Sequence, residues 1–344
     1  MRRIIILVMI ILGAVIAVAS KAAASPLETL MGLMPGEQAE VPIIMYHALE
    51  DSPDNRWEIT AREFEQDLEY LSKNGYNAVV MQDLIDFVHK GKPLPQRPIV
   101  LSFDDGRSPT IDIILPMLAK YDARVTMAII GVETQRYTEL VEAKNLKRYP
   151  HMTWDDVNRA AKTGLVEITS HTYDLHGKTG ARKHRGESEA AYKTRFLADL
   201  QKFAEALDKN TGLKANALVY PLGEISSTSD DVIKEAGYLA SLSCREKNNV
   251  ITVGDYDCLF SLNRFLRPPH RSSEDFFIRI LGSIPPHTKH GKRSAERDPR
   301  EVARGYGGET HLNHVLFNHA VFAWLNSSND SAGLNRADYG NIQG

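Results

Sequence analysis

Apolar positions along the chain fall into short blocks separated by amphipathic stretches, and from residue 41 to residue 243 the two kinds alternate. VPIIMYHAL (41–49) is a short apolar run and predicts a buried strand. Residues 60–74 predict a helix. Thr60 can cap it, Glu63 completes a capping box, Phe64, Leu68 and Leu71 form the apolar stripe, and Gly75 stops it. The same alternation predicts strands over 77–81, 99–103, 124–130, 166–171, 216–221 and 238–243. Between them it predicts a helix ending at Gly91 and helices over 109–121, from Thr153 to about Lys162, over 188–210 and over 229–236. Strands alternating with helices imply an α/β fold, a parallel sheet with covering helices. At least seven strands suit a closed or nearly closed (β/α) barrel as well as an open doubly wound sheet.

The two ends of the chain break this pattern. Arg2 and Arg3 precede an apolar run over 4–19, followed by Ala22-Ala23-Ala24-Ser25. This predicts a secretory signal peptide over 1–24, cleaved after Ala24, with an uncleaved membrane anchor as the alternative. Either way the body of the chain is expected to be exported: secreted, periplasmic or at the cell surface. Residues 25–40 read as a linker, 41–283 as the main domain, and 284–344 as a C-terminal extension, partly helical or flexible. In that extension HVLFNHAVFAWL (314–325) is the convincing apolar segment. Export permits a Cys244–Cys258 disulfide, and two unpaired thiols are the alternative.

Composition narrows the class. With 43% hydrophobic and 25% charged residues the chain is too apolar for a disordered protein and too polar for a multi-span membrane protein. A net charge of −3 offers no basic field for nucleic acid. Two cysteines cannot form a four-cysteine zinc site. No P-loop or dinucleotide fingerprint is present.

Three clusters sit where predicted strands end, the place at which β/α enzymes build their sites. In Ser102-Phe103-Asp104-Asp105-Gly106 two adjacent carboxylates close a buried strand. Alternation would turn their side chains apart, so one can bind a metal while the other takes a proton, although Asp-Gly is also a common turn pair. In Ser170-His171-Thr172-Tyr173-Asp174-Leu175-His176 the histidines stand five apart, too many for one helix face, which suggests a strand end and a returning loop. Two imidazoles and a carboxylate suit a zinc-like divalent ion with an open position for water. In Val219-Tyr220-Pro221-Leu222-Gly223 a Pro and a Gly can present backbone N–H groups to an anion, or form a plain turn.

FDDG, SHTYDLH and YPLG in this order resemble the polysaccharide deacetylases, the NodB-homology domain of carbohydrate esterase family 4. The MYH opening within VPIIMYHAL is similar to the branch of exported enzymes acting on poly-N-acetylglucosamine or peptidoglycan, and the resemblance covers about residues 41–270. It implies a distorted (β/α) barrel. It implies Asp104 as catalytic base, Asp105, His171 and His176 as metal ligands, and the Leu222 backbone N–H as oxyanion donor. Thr172 would support the histidine loop, and Tyr220 and Pro221 would meet substrate. The implied cofactor is one divalent ion, zinc first, with cobalt or nickel as alternatives. The implied partner is an acetylated glycan: poly-N-acetylglucosamine, peptidoglycan or a chitin-like chain. No nucleic acid is expected, and the membrane only through an uncleaved N-terminal segment.

The resemblance is incomplete in two places. The family's third motif opens with an arginine that holds the base, and Ala217 or Leu218 stands there. The late histidine used as general acid has no clear match, leaving His270, His314 and His319 as candidates. The expected activity is metal-dependent removal of N-acetyl groups with release of acetate. The alternatives are a metal-dependent O-acetyl esterase and a non-catalytic glycan-binding protein, the latter favoured by the missing arginine. His47, at the end of the first strand, is read as structural, bonded to a loop carbonyl, rather than lining the site. Trp57 and Trp154 are read as core, with sugar stacking as the other use.

Overall fold

The computed structural model describes residues 36–146, 149–177 and 180–282. The expected signal or anchor segment and extension, with His314 and His319, lie outside the described residues. Twelve strands are present among the described residues. They are β1 (Gln38–Val41), β2 (Ile43–Tyr46), β3 (Ala48–Leu49), β4 (Glu58–Ile59), β5 (Asn77–Val79), β6 (Pro98–Phe103), β7 (Val125–Ile129), β8 (Val166–Ser170), β9 (Ala217–Val219), β10 (Ala240–Leu242), β11 (Asn249–Thr252) and β12 (Phe265–Leu266). The α-helices are α1 (Ala61–Lys73), α2 (Met81–Lys90), α3 (Ser108–Tyr121), α4 (Gly131–Lys144), α5 (Trp154–Lys162), α6 (Glu189–Thr211), α7 (Ser229–Glu235) and α8 (Ser273–Leu281).

The main sheet runs β10-β9-β8-β7-β6-β2-β12, with β5 paired to the first half of β6, and every pairing is parallel. All positions of β6 and β7 are buried, as expected of parallel strands covered on both faces. The two ends of the sheet meet through one short segment. Leu262 bridges Leu242 of β10, and three residues later β12 pairs with β2. The sheet thus curls into the (β/α) barrel expected from the alternation, with residues 262–266 as its seam.

Local signals explain most elements. Thr60 accepts from the Glu63 N–H while Glu63 accepts from the Thr60 N–H, completing the capping box at the start of α1. Thr153 and Asp156 do the same for α5. Three differences have physical causes. Pro42, which lacks an N–H, divides the run expected as one strand from residue 41. Its first part pairs antiparallel with β11, so residues 38–40 are strand rather than linker. Helix α4 was not expected because it has no apolar stripe; Gly131 and Thr134 are its buried residues. Helix α8 is short but legible, with Ser272 as cap and Phe276, Phe277 and Ile280 facing inward.

No disulfide forms. Cys244 and Cys258 are both unpaired thiols. Cys244 Sγ accepts from Arg264 at 3.5 Å, and Cys258 Sγ accepts from the Thr252 N–H at 3.4 Å. Trp154 is core, its indole N–H donating to Gln135.

Candidate active site

Four strand ends converge at the C-terminal mouth of the barrel. Asp104 follows β6, His171 follows β8, Tyr220 follows β9, and His47 follows β2. Asp104 continues the strand, its N–H donating to the Tyr46 carbonyl at 2.9 Å. Asp105 and Gly106 then adopt left-handed conformations, φ 70° and 62°. The Asp104 and Asp105 carboxylates therefore part through a left-handed turn rather than through strand alternation. Gly106 is required twice over, because a Cβ there would stand 2.9 Å from Ile129 Cγ2. The ring of His151 donates from Nδ1 to the Asp105 carbonyl at 2.9 Å and fixes the turn from outside.

Asp105, His171 and His176 bring one ligand atom each within 4.8 Å of one another. Asp105 Oδ1 is 3.1 Å from His176 Nε2 and 3.6 Å from His171 Nε2. Ligands about 2.0–2.2 Å from a tetrahedral ion stand about 3.3–3.6 Å apart, close to these separations. His171 Nδ1 lies 2.8 Å from the Val219 carbonyl. A carbonyl only accepts, so Nδ1 carries the proton and Nε2 turns a lone pair toward Asp105. Burial holds the His171 pKa below its ordinary value, against the pull of Asp104 and Asp105, which keeps the ring neutral as a ligand must be. Asp105 Oδ1 is buried with no hydrogen-bond partner among the described residues. A carboxylate oxygen within 3.6 Å of two imidazole Nε2 atoms fits a divalent cation.

The histidine loop is held by Asp199 and Gly131 from outside the motif and by Thr172 within it. Asp199 of α6 accepts from the Tyr173 and Asp174 N–H groups, both at 2.8 Å. Thr172, at φ 68°, accepts on Oγ1 from the Leu175 N–H, and its carbonyl accepts from the Gly131 N–H. Gly131 leaves room for this approach, since a Cβ would meet the Tyr173 ring at 2.6 Å.

The arginine missing from the third motif is supplied by the barrel seam. Arg264 donates from Nη1 to Asp104 Oδ1 at 2.7 Å and from Nη2 to Asp104 Oδ2 at 3.0 Å. Its remaining donors reach the Ser243 carbonyl, Ser102 Oγ and Cys244 Sγ. All five N–H groups of a fully buried guanidinium are thus engaged. Burial pushes the Asp104 carboxyl up, but the charge of Arg264, then His171 and His47, brings it below its ordinary value. Asp104 is ionised at neutral pH.

The third cluster differs from expectation. Tyr220 and Pro221, expected to meet substrate, are buried. The Tyr220 hydroxyl donates to Asp230 at 2.9 Å, in a network with Ser241 and Ser261. Leu222 is the exposed member, 64% accessible and left-handed at φ 57°.

His47 is at the site and not bonded to a loop carbonyl. Its Nε2 is 3.9 Å from Asp104 Oδ2, and its Nδ1 is buried with no hydrogen-bond partner among the described residues. Trp57 packs against it, ring centroids 4.8 Å apart, and remains 40% exposed rather than joining the core. His270 is exposed beside the start of α1, its N–H on Glu63, and no contact joins it to Asp104 among the described residues. Of the residues sequence reasoning missed, His47 alone carried a signal, its place directly after a strand. Arg264, Asp199 and His151 act from 160, 26 and 46 residues away from the groups they hold, and no spacing announces them.

Residues 91–241 match the polysaccharide deacetylase family. The chain is 27% identical over 233 residues to a poly-β-1,6-N-acetyl-D-glucosamine N-deacetylase of Escherichia coli K12, covering 61% of this chain and 35% of the relative. It is 26% identical over 204 residues to the enzyme of that name from Staphylococcus aureus MSSA476, covering 58% and 66%. The chain therefore spans about a third of the first relative and just under two thirds of the second. Among solved structures, Streptococcus pyogenes deacetylase PplD in complex with acetate superposes with a TM-score of 0.58 at 20% identity, over 74% of this chain and 100% of that one. IcaB from Ammonifex degensii gives 0.54 at 23% identity, over 69% and 94%. These two likenesses show the shared fold.

Proposed function

We propose that this chain, whose residues 91–241 match the polysaccharide deacetylase family, is a metal-dependent hydrolase removing N-acetyl groups from an N-acetylglucosamine polymer. The observation that carries this reading is the convergence of Asp105, His171 and His176 beside the buried Asp104–Arg264 pair. The names of the relatives favour poly-β-1,6-N-acetylglucosamine over peptidoglycan or chitin as the first polymer to test. Export through the N-terminal segment belongs to the same reading, since such polymers lie outside the cytoplasm.

A divalent ion held by Asp105, His171 and His176, zinc or else cobalt or nickel, would supply a Lewis acid for the acetyl carbonyl and lower the pKa of water. Asp104 takes the proton of the water whose oxygen bonds to the carbonyl carbon. Arg264 keeps that carboxylate ionised and oriented through both oxygens. The Leu222 N–H donates to the developing oxyanion. The C–N bond breaks, acetate leaves, and the proton passes to the amine nitrogen. His47, 3.9 Å from Asp104, is the group placed to deliver it. Arg264 on the base also speaks for catalysis over glycan binding alone, because the apparent lack of that arginine was the argument for the latter.

The test is acetate release from N-acetylglucosamine oligomers by the full exported chain, with and without chelator and added zinc. Chelator-sensitive release restored by zinc is expected. Release from O-acetylated glycans alone would assign the esterase instead, and binding without release in zinc-loaded protein would sink the enzymatic reading.

A further inference from the structure

Trp57 is an anomaly of the surface. Five large apolar side chains are notably exposed among the described residues: Trp57, Leu222, Val250, Tyr256 and Ile278. Two of them, Trp57 and Leu222, belong to the loops around the polar site. Exposed apolar surface gathered at a site marks a binding face more often than chance. The indole is also held still. The Trp57 N–H donates to Asn55 Oδ1 at 2.9 Å, the Asp54 N–H to Glu58 Oε2 at 3.2 Å, and β4 begins at the next residue. The His47 ring packs at 4.8 Å, and the Arg56 guanidinium lies 4.9 Å from the ring centroid. Arg56 has no ion pair among the described residues, so its N–H groups remain available to hydroxyl or acetyl oxygens.

We propose that Trp57 is a stacking platform for a pyranose ring, binding a sugar of the substrate chain next to the one whose acetyl group is cleaved, with Arg56 donating to that sugar's oxygens. This rests on the glycan reading above and adds where the chain is gripped. The ring face of a pyranose is lined by C–H groups, and these complement the electron-rich face of an indole. Trp57 touches His47, and His47 touches Asp104, so the platform lies one side chain removed from the reacting centre. An acetamide alone offers little area to hold. Grip on a neighbouring residue holds the chain equally in the ground and transition states, which lowers KM without raising kcat. A rigid indole gives that area at low entropic cost. The ligand class is an unbranched chain of at least two pyranose sugars.

The experiment is calorimetric titration of the full chain, in chelator, with β-1,6- and β-1,4-linked pentamers of N-acetylglucosamine. Trp57→Ala is expected to raise Kd at least tenfold, about 1.4 kcal/mol, and Trp57→Phe about threefold, since part of the ring remains. Quenching of tryptophan fluorescence by pentamer should fall in Trp57→Phe. With zinc restored, the loss in Trp57→Ala should lie in KM more than in kcat. A Kd within twofold of wild type in both variants overturns the platform. So does a loss confined to kcat, which would make Trp57 a support for His47 only, and so does a wild type that binds neither pentamer. Trp57→Phe serves where Trp57→Ala fails to fold. Acetate release separates this from the functional reading: Trp57-dependent binding without acetate sinks the deacetylase and leaves the platform, and acetate release with Trp57-independent binding does the reverse.

Discussion

Arg264 and Asp104, 160 residues apart, form a two-pronged ion pair with N–O distances of 2.7 and 3.0 Å at the closure of the barrel. Arg264 sits between Leu262, which bridges β10, and β12, which pairs with β2. A second buried pair anchors the other side of this segment: Arg267 grips both oxygens of Asp67 on α1. The Asp104 carboxylate is thus oriented by the element that closes the sheet.

The first prediction concerns this pair. Arg264→Ala leaves Asp104 buried without its counter-charge and should cost about 3–5 kcal/mol of stability. Arg264→Lys keeps the charge but loses the fork. It should fold, with acetate release lowered by about 100-fold, an electrostatic loss near 2.7 kcal/mol. Denaturant melts and acetate assays check both, and an Arg264→Lys enzyme of wild-type rate would contradict the role given to the fork.

Metal content should separate ligand from base. His171→Ala and His176→Ala should each drop bound zinc from about one per chain to a small fraction, since each removes one of three protein ligands. Asp104→Asn should keep its zinc and lose turnover. Elemental analysis after dialysis reads the first quantity; a His171→Ala protein that retains full zinc would remove it from the ligand set.

Tyr220→Phe tests the correction at the third motif. The hydroxyl bonds Asp230. Its loss should cost about 1–2 kcal/mol in stability, the range for one buried hydrogen bond, and leave KM for oligomers unchanged. A raised KM with unchanged melting would return Tyr220 to the substrate side.

Glu167 gives a pH dependence that involves none of Asp105, His171 and His176. It accepts from the Met81 and Gln82 N–H groups at the start of α2 and from Thr126 Oγ1. Burial raises its pKa from 4.5 to about 7, against those hydrogen bonds. A carboxyl raised by folding binds its proton more tightly in the native state, so the native state loses relative stability as pH rises from 4.5 to about 7 and no further above. The stability advantage of wild type over Glu167→Gln should shrink across that window and level off beyond it. A difference in melting temperature that stays flat from pH 4.5 to 8 would refute the shift.

Much of the barrel is written locally. A capping box at Thr60 and Glu63 acts within one turn, a buried parallel strand such as β6 is a run of apolar residues, and both are readable without the fold. The candidate metal cluster is nearly as legible, because Asp105, His171 and His176 sit at or soon after strand ends, which gather at one mouth of a β/α barrel. What the chain alone did not disclose depends on closure. Arg264 reaches Asp104 only because residues 262–266 join β10 to β2. Tyr220 is buried with its hydroxyl on Asp230, and His47 stands beside Asp104 because β2 ends beside β6. Periodicity and spacing report interactions within a few residues. A buried ion pair or a ring contact between distant segments arises only when the sheet closes, so the tertiary structure alone decided who holds the base and what lines the site.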